Sequence, residues 1–162
     1  MRLLPPDSRG FTLLELVLVL LIMGLALALS YPNLSRGTAA FHLRAVGRDV
    51  MNTLRFARER AITQQTDMLV VVDREKHQVT LSDALGGGPR TFSLPDDVKI
   101  QHLVLGGKEI PEGPLRIRFI PNGSSETAEI ALESKTGSVL RVVTDPLTGG
   151  AKVLLGPGGL VR

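Results

Sequence analysis

The chain has 162 residues, 43% of them apolar, which leaves room for one small folded domain and an apolar anchor. It contains no cysteine, so disulfides, thiolate nucleophiles and thiolate metal sites are excluded. The net charge of +3 belongs to one segment: residues 1–35 cancel, residues 36–60 hold six arginines against Asp49 and Glu59, and residues 61–162 hold eleven basic against twelve acidic groups.

Met1 to Arg9 is a short polar leader with Arg2, Arg9 and a Pro5-Pro6 break. From Phe11 to Leu29 only Thr12 and Glu15 are polar. As a helix this run is about 28 Å long, close to a hydrocarbon core of about 30 Å, so a transmembrane helix is predicted. A basic start before an apolar run also describes a secretory signal, and Ala26-Leu27-Ala28 has the form of a signal-peptidase site. The length of the run and its carboxylate argue against that. A charge deep in a membrane helix costs roughly 2.5–3.5 kcal/mol, and a disposable signal has no reason to carry one. Because Glu15 lies about one turn from Phe11, a second reading places it at headgroup level, at little cost.

Ser30-Tyr31-Pro32-Asn33 is predicted to leave the bilayer. Pro32 lacks an amide donor and crowds the preceding turn, so it should kink or loosen the helix. Asn33-Leu34-Ser35 and Asn122-Gly123-Ser124 match a glycosylation pattern and are read as chance. A helix is expected to resume from about Thr38 to Gln65. Leu43, Val46, Val50, Leu54, Ala57 and Ala61 recur at steps of three and four, the stripe of an amphipathic helix that packs on a sheet. Arg44, Arg48, Arg55 and Arg58 fall on another face, about 110° away. That face is either solvated or set against an acidic neighbour, lipid headgroups or nucleic acid.

After Gln65 the period changes to two. Met68-Leu69-Val70-Val71-Val72 and Gln78-Val79-Thr80-Leu81 flank a turn and predict a hairpin. Gly86-Gly87-Gly88-Pro89 is read as a flexible connector, because it lacks the strand-to-helix context and the Lys-Ser/Thr of a phosphate loop. Further strands are expected at Arg90 to Leu94, Val98 to Leu105, Leu115 to Ile120, Ala128 to Glu133, Val139 to Thr144 and Ala151 to Leu155, with turn chemistry between them. The tail from Gly156 is expected to be mobile. One long helix followed by seven or eight short strands predicts an α+β fold, with an antiparallel sheet or sandwich packed on the helix.

No catalytic constellation emerges. His42, His77 and His102 lack metal spacing and read as surface residues, Asp96-Asp97 reads as turn chemistry, and Ser124-Ser125 has no nucleophile-elbow context. The chain is read as a non-enzyme, with no metal or cofactor.

Arg9-Gly10-Phe11-Thr12-Leu13-Leu14-Glu15 followed by an apolar helix resembles the class III signal of type IV pilins and pseudopilins. The resemblance implies a pilin-like fold, cleavage by a prepilin peptidase between Gly10 and Phe11, and N-methylation of Phe11. Glycine suits the cut because a side chain there would obstruct the peptidase's approach to the backbone. Pro32 matches a proline that many pilins carry. The implied organisation is a leader at 1–10, a transmembrane and filament-core helix at 11–31, an amphipathic helix at 32–65, a periplasmic β domain at 66–155 and a tail at 156–162. It places the leader in the cytoplasm and the domain in the periplasm of a single-pass inner-membrane protein. Glu15 would pair with the cationic amine of a neighbouring subunit's Phe11, so that each charge offsets the other in lipid.

Three more stretches resemble the minor pseudopilins of type II secretion, the H type (GspH family): Leu54-Arg55-Phe56-Ala57-Arg58-Glu59-Arg60-Ala61-Ile62 running into Leu69-Val70-Val71-Val72-Asp73, then Ile117-Arg118-Phe119-Ile120-Pro121-Asn122-Gly123, and Asp145-Pro146-Leu147-Thr148-Gly149. That resemblance implies partners of the I, J and K types at the tip of a filament whose body is the G type. The alternative is a minor pilin of type IV pili (FimU- and FimT-like), some of which bind DNA. The sequence pI of about 9.7 and the arginine face keep that alternative open. A β domain of net −1, one tyrosine, no tryptophan and a single arginine at the carboxyl end argue against a DNA partner.

Overall fold

The computed structural model describes residues 11–156, with side chains 28–37 outside the description. The leader, with Gly10, and the tail beyond Gly156 therefore lie outside the described residues. The chain divides into two units, Met1–Gly37 and Thr38–Arg162.

The first helix, α1, spans Leu13–Gln64. It runs as one element through Pro32, the single long helix that was expected, with an apolar half and an amphipathic half. A proline removes one i→i−4 hydrogen bond, and the bonds on either side keep the helical assignment unbroken. The bend predicted at Pro32 falls among the side chains outside the description. Every described residue from Phe11 to Leu27 is exposed, including Leu13 at 82% and Leu14 at 79%. Among the described residues no helix is long and apolar enough to cross a membrane.

The second unit carries its own core. The stripe predicted on α1 is buried throughout: Leu43, Val46, Val50, Leu54, Ala57 and Ala61 are all at 6% exposure or less. These side chains share one apolar cluster with residues from both sheets. Fully burying a leucine such as Leu54 stabilises the fold by about 1.5–3 kcal/mol, so the period-3.6 stripe is what holds this half of the helix to the strands.

Nine strands follow: β1 (Met68–Asp73), β2 (Gln78–Asp83), β3 (Arg90–Ser93), β4 (Val98–Leu105), β5 (Lys108–Glu109), β6 (Leu115–Phe119), β7 (Ala128–Ser134), β8 (Val139–Thr144) and β9 (Ala151–Leu155). They form two antiparallel sheets, in the orders β3-β2-β1-β6 and β5-β4-β7-β8-β9. Alternation decides which face enters the core. Met68, Val70 and Val72 of β1 and Leu115, Ile117 and Phe119 of β6 are buried, whereas Arg116 and Arg118 between the latter are exposed. β4 departs from simple alternation: its register against β7 shifts between Ile100 and His102, a β-bulge. The bulge keeps Val98, Ile100 and Leu103 all in the core.

The two-residue β5 was not expected. The connector at Gly86 is held more closely than its glycines suggest. The Asp83 carboxylate accepts hydrogen bonds from Leu85 N–H (3.0 Å) and Gly87 N–H (2.6 Å), and Asp83 N–H donates to Gly87 C=O (3.1 Å).

Candidate functional site

The start of α1 is built by its own sequence. Thr12 precedes the helix and accepts a hydrogen bond at Oγ1 from Glu15 N–H at 3.2 Å, while its carbonyl receives the first helical bond, from Leu16 N–H. Thr12 is thus the N-cap, and Thr12-Leu13-Leu14-Glu15 is the threonine–x–x–glutamate pattern of a capping box. Glu15 occupies the first turn, where the positive end of the helix dipole favours a carboxylate. The sequence reading singled out Glu15 for its charge and missed Thr12, although the spacing that reveals the cap was present. Phe11 stands just before the helix at 79% exposure. Phe11 and Glu15 therefore share one exposed helix end. Gly10 lies outside the described residues, as does the side chain of Pro32.

The four arginines predicted to form one face divide into two pairs. Arg44 and Arg48 are exposed. Arg55 Nη2 donates to the carbonyl of Ala151 at 3.4 Å, and Arg58 Nε to the carbonyl of Gly123 at 3.2 Å. The second pair is therefore spent partly on the protein's own loops.

Arg58 is where three distant stretches converge. Gly123 closes the turn after β6 and Gly149 lies in the turn between β8 and β9; their φ angles of 86° and 60° favour glycine. A Cβ at Gly149 would collide with the Gly123 carbonyl oxygen and come within 3.1 Å of Arg58 Cδ; one at Gly123 would lie 2.9 Å from Ile62 Cδ1. Ser125 N–H donates to Pro146 C=O at 3.3 Å and ties the two loops to each other. The Asp145 carboxylate accepts from Leu147 N–H (2.9 Å) and Thr148 N–H (3.1 Å) and folds the second turn. Those bonds, Thr148 first, hold the Asp145 carboxyl below its ordinary pKa. Arg58 in the helix, Gly123 after β6 and Gly149 before β9 thus build one joint from the three motif stretches.

Two histidines engage carboxylates. His42 Nδ1 lies 2.6 Å from Asp97 Oδ2, joining α1 to the loop before β4, and this hydrogen bond lowers the Asp97 pKa. His102 Nε2 lies 3.4 Å from Glu129 Oε1, which also accepts from Arg141 Nη1 at 3.1 Å; Glu129 and Arg141 are both buried. The expectation that His102 is a plain surface residue is corrected: the β4 bulge sets it beside Glu129 on the next strand. Asp97 likewise does more than shape a turn.

Comparison with known proteins gives two findings. Residues 6–31 match the family described as the prokaryotic N-terminal methylation motif. Two solved structures of the minor pseudopilin EpsH from the type II secretion system of Vibrio cholerae share the fold. One is 15% identical, with a TM-score of 0.59 over 73% of this chain and 96% of that one; the other is 14% identical, with a TM-score of 0.55 over 70% and 97%. No curated protein matches the chain. At these identities the structural likeness is one of fold, a long helix packed on antiparallel sheets.

Proposed function

We propose that this chain is a minor pseudopilin of a type II secretion system, of the H type. The observation that carries the reading is the coincidence, in one chain, of an N-terminal methylation motif with a fold shared with a minor pseudopilin over nearly all of that protein. In this reading a prepilin peptidase cuts between Gly10 and Phe11 and methylates Phe11, leaving 152 residues. The apolar run then anchors the subunit in the inner membrane, with the β domain in the periplasm, until it joins the I, J and K type pseudopilins above a body of the G type. The unbroken exposure of Phe11 to Leu27 supports this, because so large an apolar surface needs lipid or other helices to cover it. The placement of Phe11 and Glu15 on one helix end supports pairing of the carboxylate with the amine of a neighbour. In lipid, two partnered charges cost far less than two separate ones.

The test is the culture supernatant of a strain lacking this gene. A defined set of folded exoproteins should disappear, and return with the wild-type chain but not with a Gly10 variant that blocks cleavage. An unchanged supernatant overturns the secretion reading and directs attention to pilus assays. Glu15→Leu separates processing from assembly: it should be cleaved normally yet recovered poorly in the filament. Normal incorporation removes the charge-pairing mechanism.

A further inference from the structure

β9 ends the five-stranded sheet, and among the described residues no strand pairs with its far side. Two hydrogen bonds fix the direction of its backbone groups. Asp145 N–H donates to Gly150 C=O at 2.8 Å, and Gly156 N–H donates to Val139 C=O at 3.1 Å. Residues of an antiparallel pair alternate between bonding across the ladder and pointing away from it. Gly150, Lys152, Leu154 and Gly156 therefore serve the ladder with β8, and Ala151, Val153 and Leu155 point their amides and carbonyls outward. The contact from Arg55 Nη2 to the Ala151 carbonyl agrees with this and ends the open edge at that residue.

The side chains mark the same place. Leu155 is 69% exposed and Leu154 is 37% exposed. Sheet edges are commonly blunted by charge, proline, a bulge or a covering element. Within β9 only Lys152 supplies one of these. Beside the edge lies an open groove of about 590 Å³ between α1 and β9, lined among others by Arg55, Arg58, Glu59, Ile62, Ala151 and Lys152. Two cations from α1, Arg55 and Arg58, face one carboxylate, Glu59, there, while Lys152 alternates onto the other face of β9 with Leu154.

We propose that the β9 edge receives an extended segment of a partner protein as an added strand, with an acidic side chain of that segment in the groove beside Arg55. A row of alternating amides and carbonyls is matched by another extended backbone; lipid headgroups and duplex DNA present no such row. The excess of cations selects Asp or Glu on the α1 side, and Leu154 favours an apolar side chain on the opposite face. The inference rests on the reading of the chain as an assembling subunit and names the surface by which one partner is held.

The experiment uses the full chain in cells lacking the chromosomal copy. A photoreactive phenylalanine replaces Leu155, and a second version carries it at Leu18 in the apolar helix to report assembly. Val153→Pro removes an outward amide without breaking a bond to β8, and Val153→Ala keeps that amide. Leu155 should crosslink to one extended segment bearing Asp or Glu. The yield should fall about tenfold with Val153→Pro, the equivalent of one or two lost hydrogen bonds, hold with Val153→Ala, and fall with Arg55→Glu. Equal yield from a folded Val153→Pro chain overturns the inference, as do crosslinks confined to lipid or to a partner helix. Where Val153→Pro does not fold, undiminished yield with Arg55→Glu overturns it. Leu18 crosslinks without any from Leu155 sink this inference alone; loss of both sinks the subunit reading and this inference with it.

Discussion

Replacing Gly149 by alanine tests whether the joint at Arg58 is a tight fit or a loose adjacency. Its φ of 60° costs an alanine about 1–2 kcal/mol. The new Cβ would also meet the Gly123 carbonyl, which is backbone and cannot rotate away, and overpacking of that kind costs about 1–3 kcal/mol. Displacing that carbonyl weakens the bond it accepts from Arg58, so the total is about 3–5 kcal/mol, a large share of a domain stability of about 5–15 kcal/mol. Gly137→Ala is the control: its φ is 79°, but no atom lies within 4 Å of its added Cβ, so the backbone term alone should appear, again about 1–2 kcal/mol. The assay is thermal and denaturant unfolding of the full chain in detergent, followed by circular dichroism. At about 3–5 °C per kcal/mol for a unit of this size, Gly149→Ala should melt at least about 6 °C below Gly137→Ala. Equal losses would refute the idea that Gly149 is packed against Gly123 and Arg58.

Asp145→Asn should change the acid limb of stability. The native carboxyl is held below its ordinary value, so its contribution is full above the unfolded-state pKa of about 3.9 and is lost as pH falls through the lower native value. The variant should be less stable at neutral pH and should converge with the parent below that window; parallel curves in a pH series of unfolding would remove the role given to this turn. Thr12→Ala deletes the cap and should cost about 1 kcal/mol at the helix start. Hydrogen exchange in micelles should then speed up at Glu15 and its neighbours and stay unchanged in the β strands.

Local pattern carried most of the fold. The stripe from Leu43 to Ala61 was legible because burial on one side of a helix imposes a step of three and four, and all six of its residues are buried. Eight strands were legible for the matching reason, a period of two between turn residues. β5 was not, because two exposed residues carry no period. The order of strands within the two sheets, and the division into two sheets at all, depend on pairing between distant segments. So does the meeting of Gly123, Gly149 and Arg58: each was visible within its motif, and nothing local says that they touch. The contacts His42–Asp97 and His102–Glu129 were hidden for the same reason. At the basic face, helical spacing grouped four arginines, and nothing local says that Arg55 and Arg58 also reach backbone carbonyls of distant loops.

The irregularity in β4 bears on which length changes the gene can tolerate. Losing one residue from a central strand ordinarily turns every later side chain to the wrong face. In β4 the extra residue lies between Ile100 and His102, so loss of the Gln101 codon would restore simple alternation, keeping Leu103 inside and His102 outside. Loss of Lys99 instead would bring Val98 and Ile100 together and force one of them outward. Two single-codon deletions, two residues apart in one strand, should therefore have opposite fates.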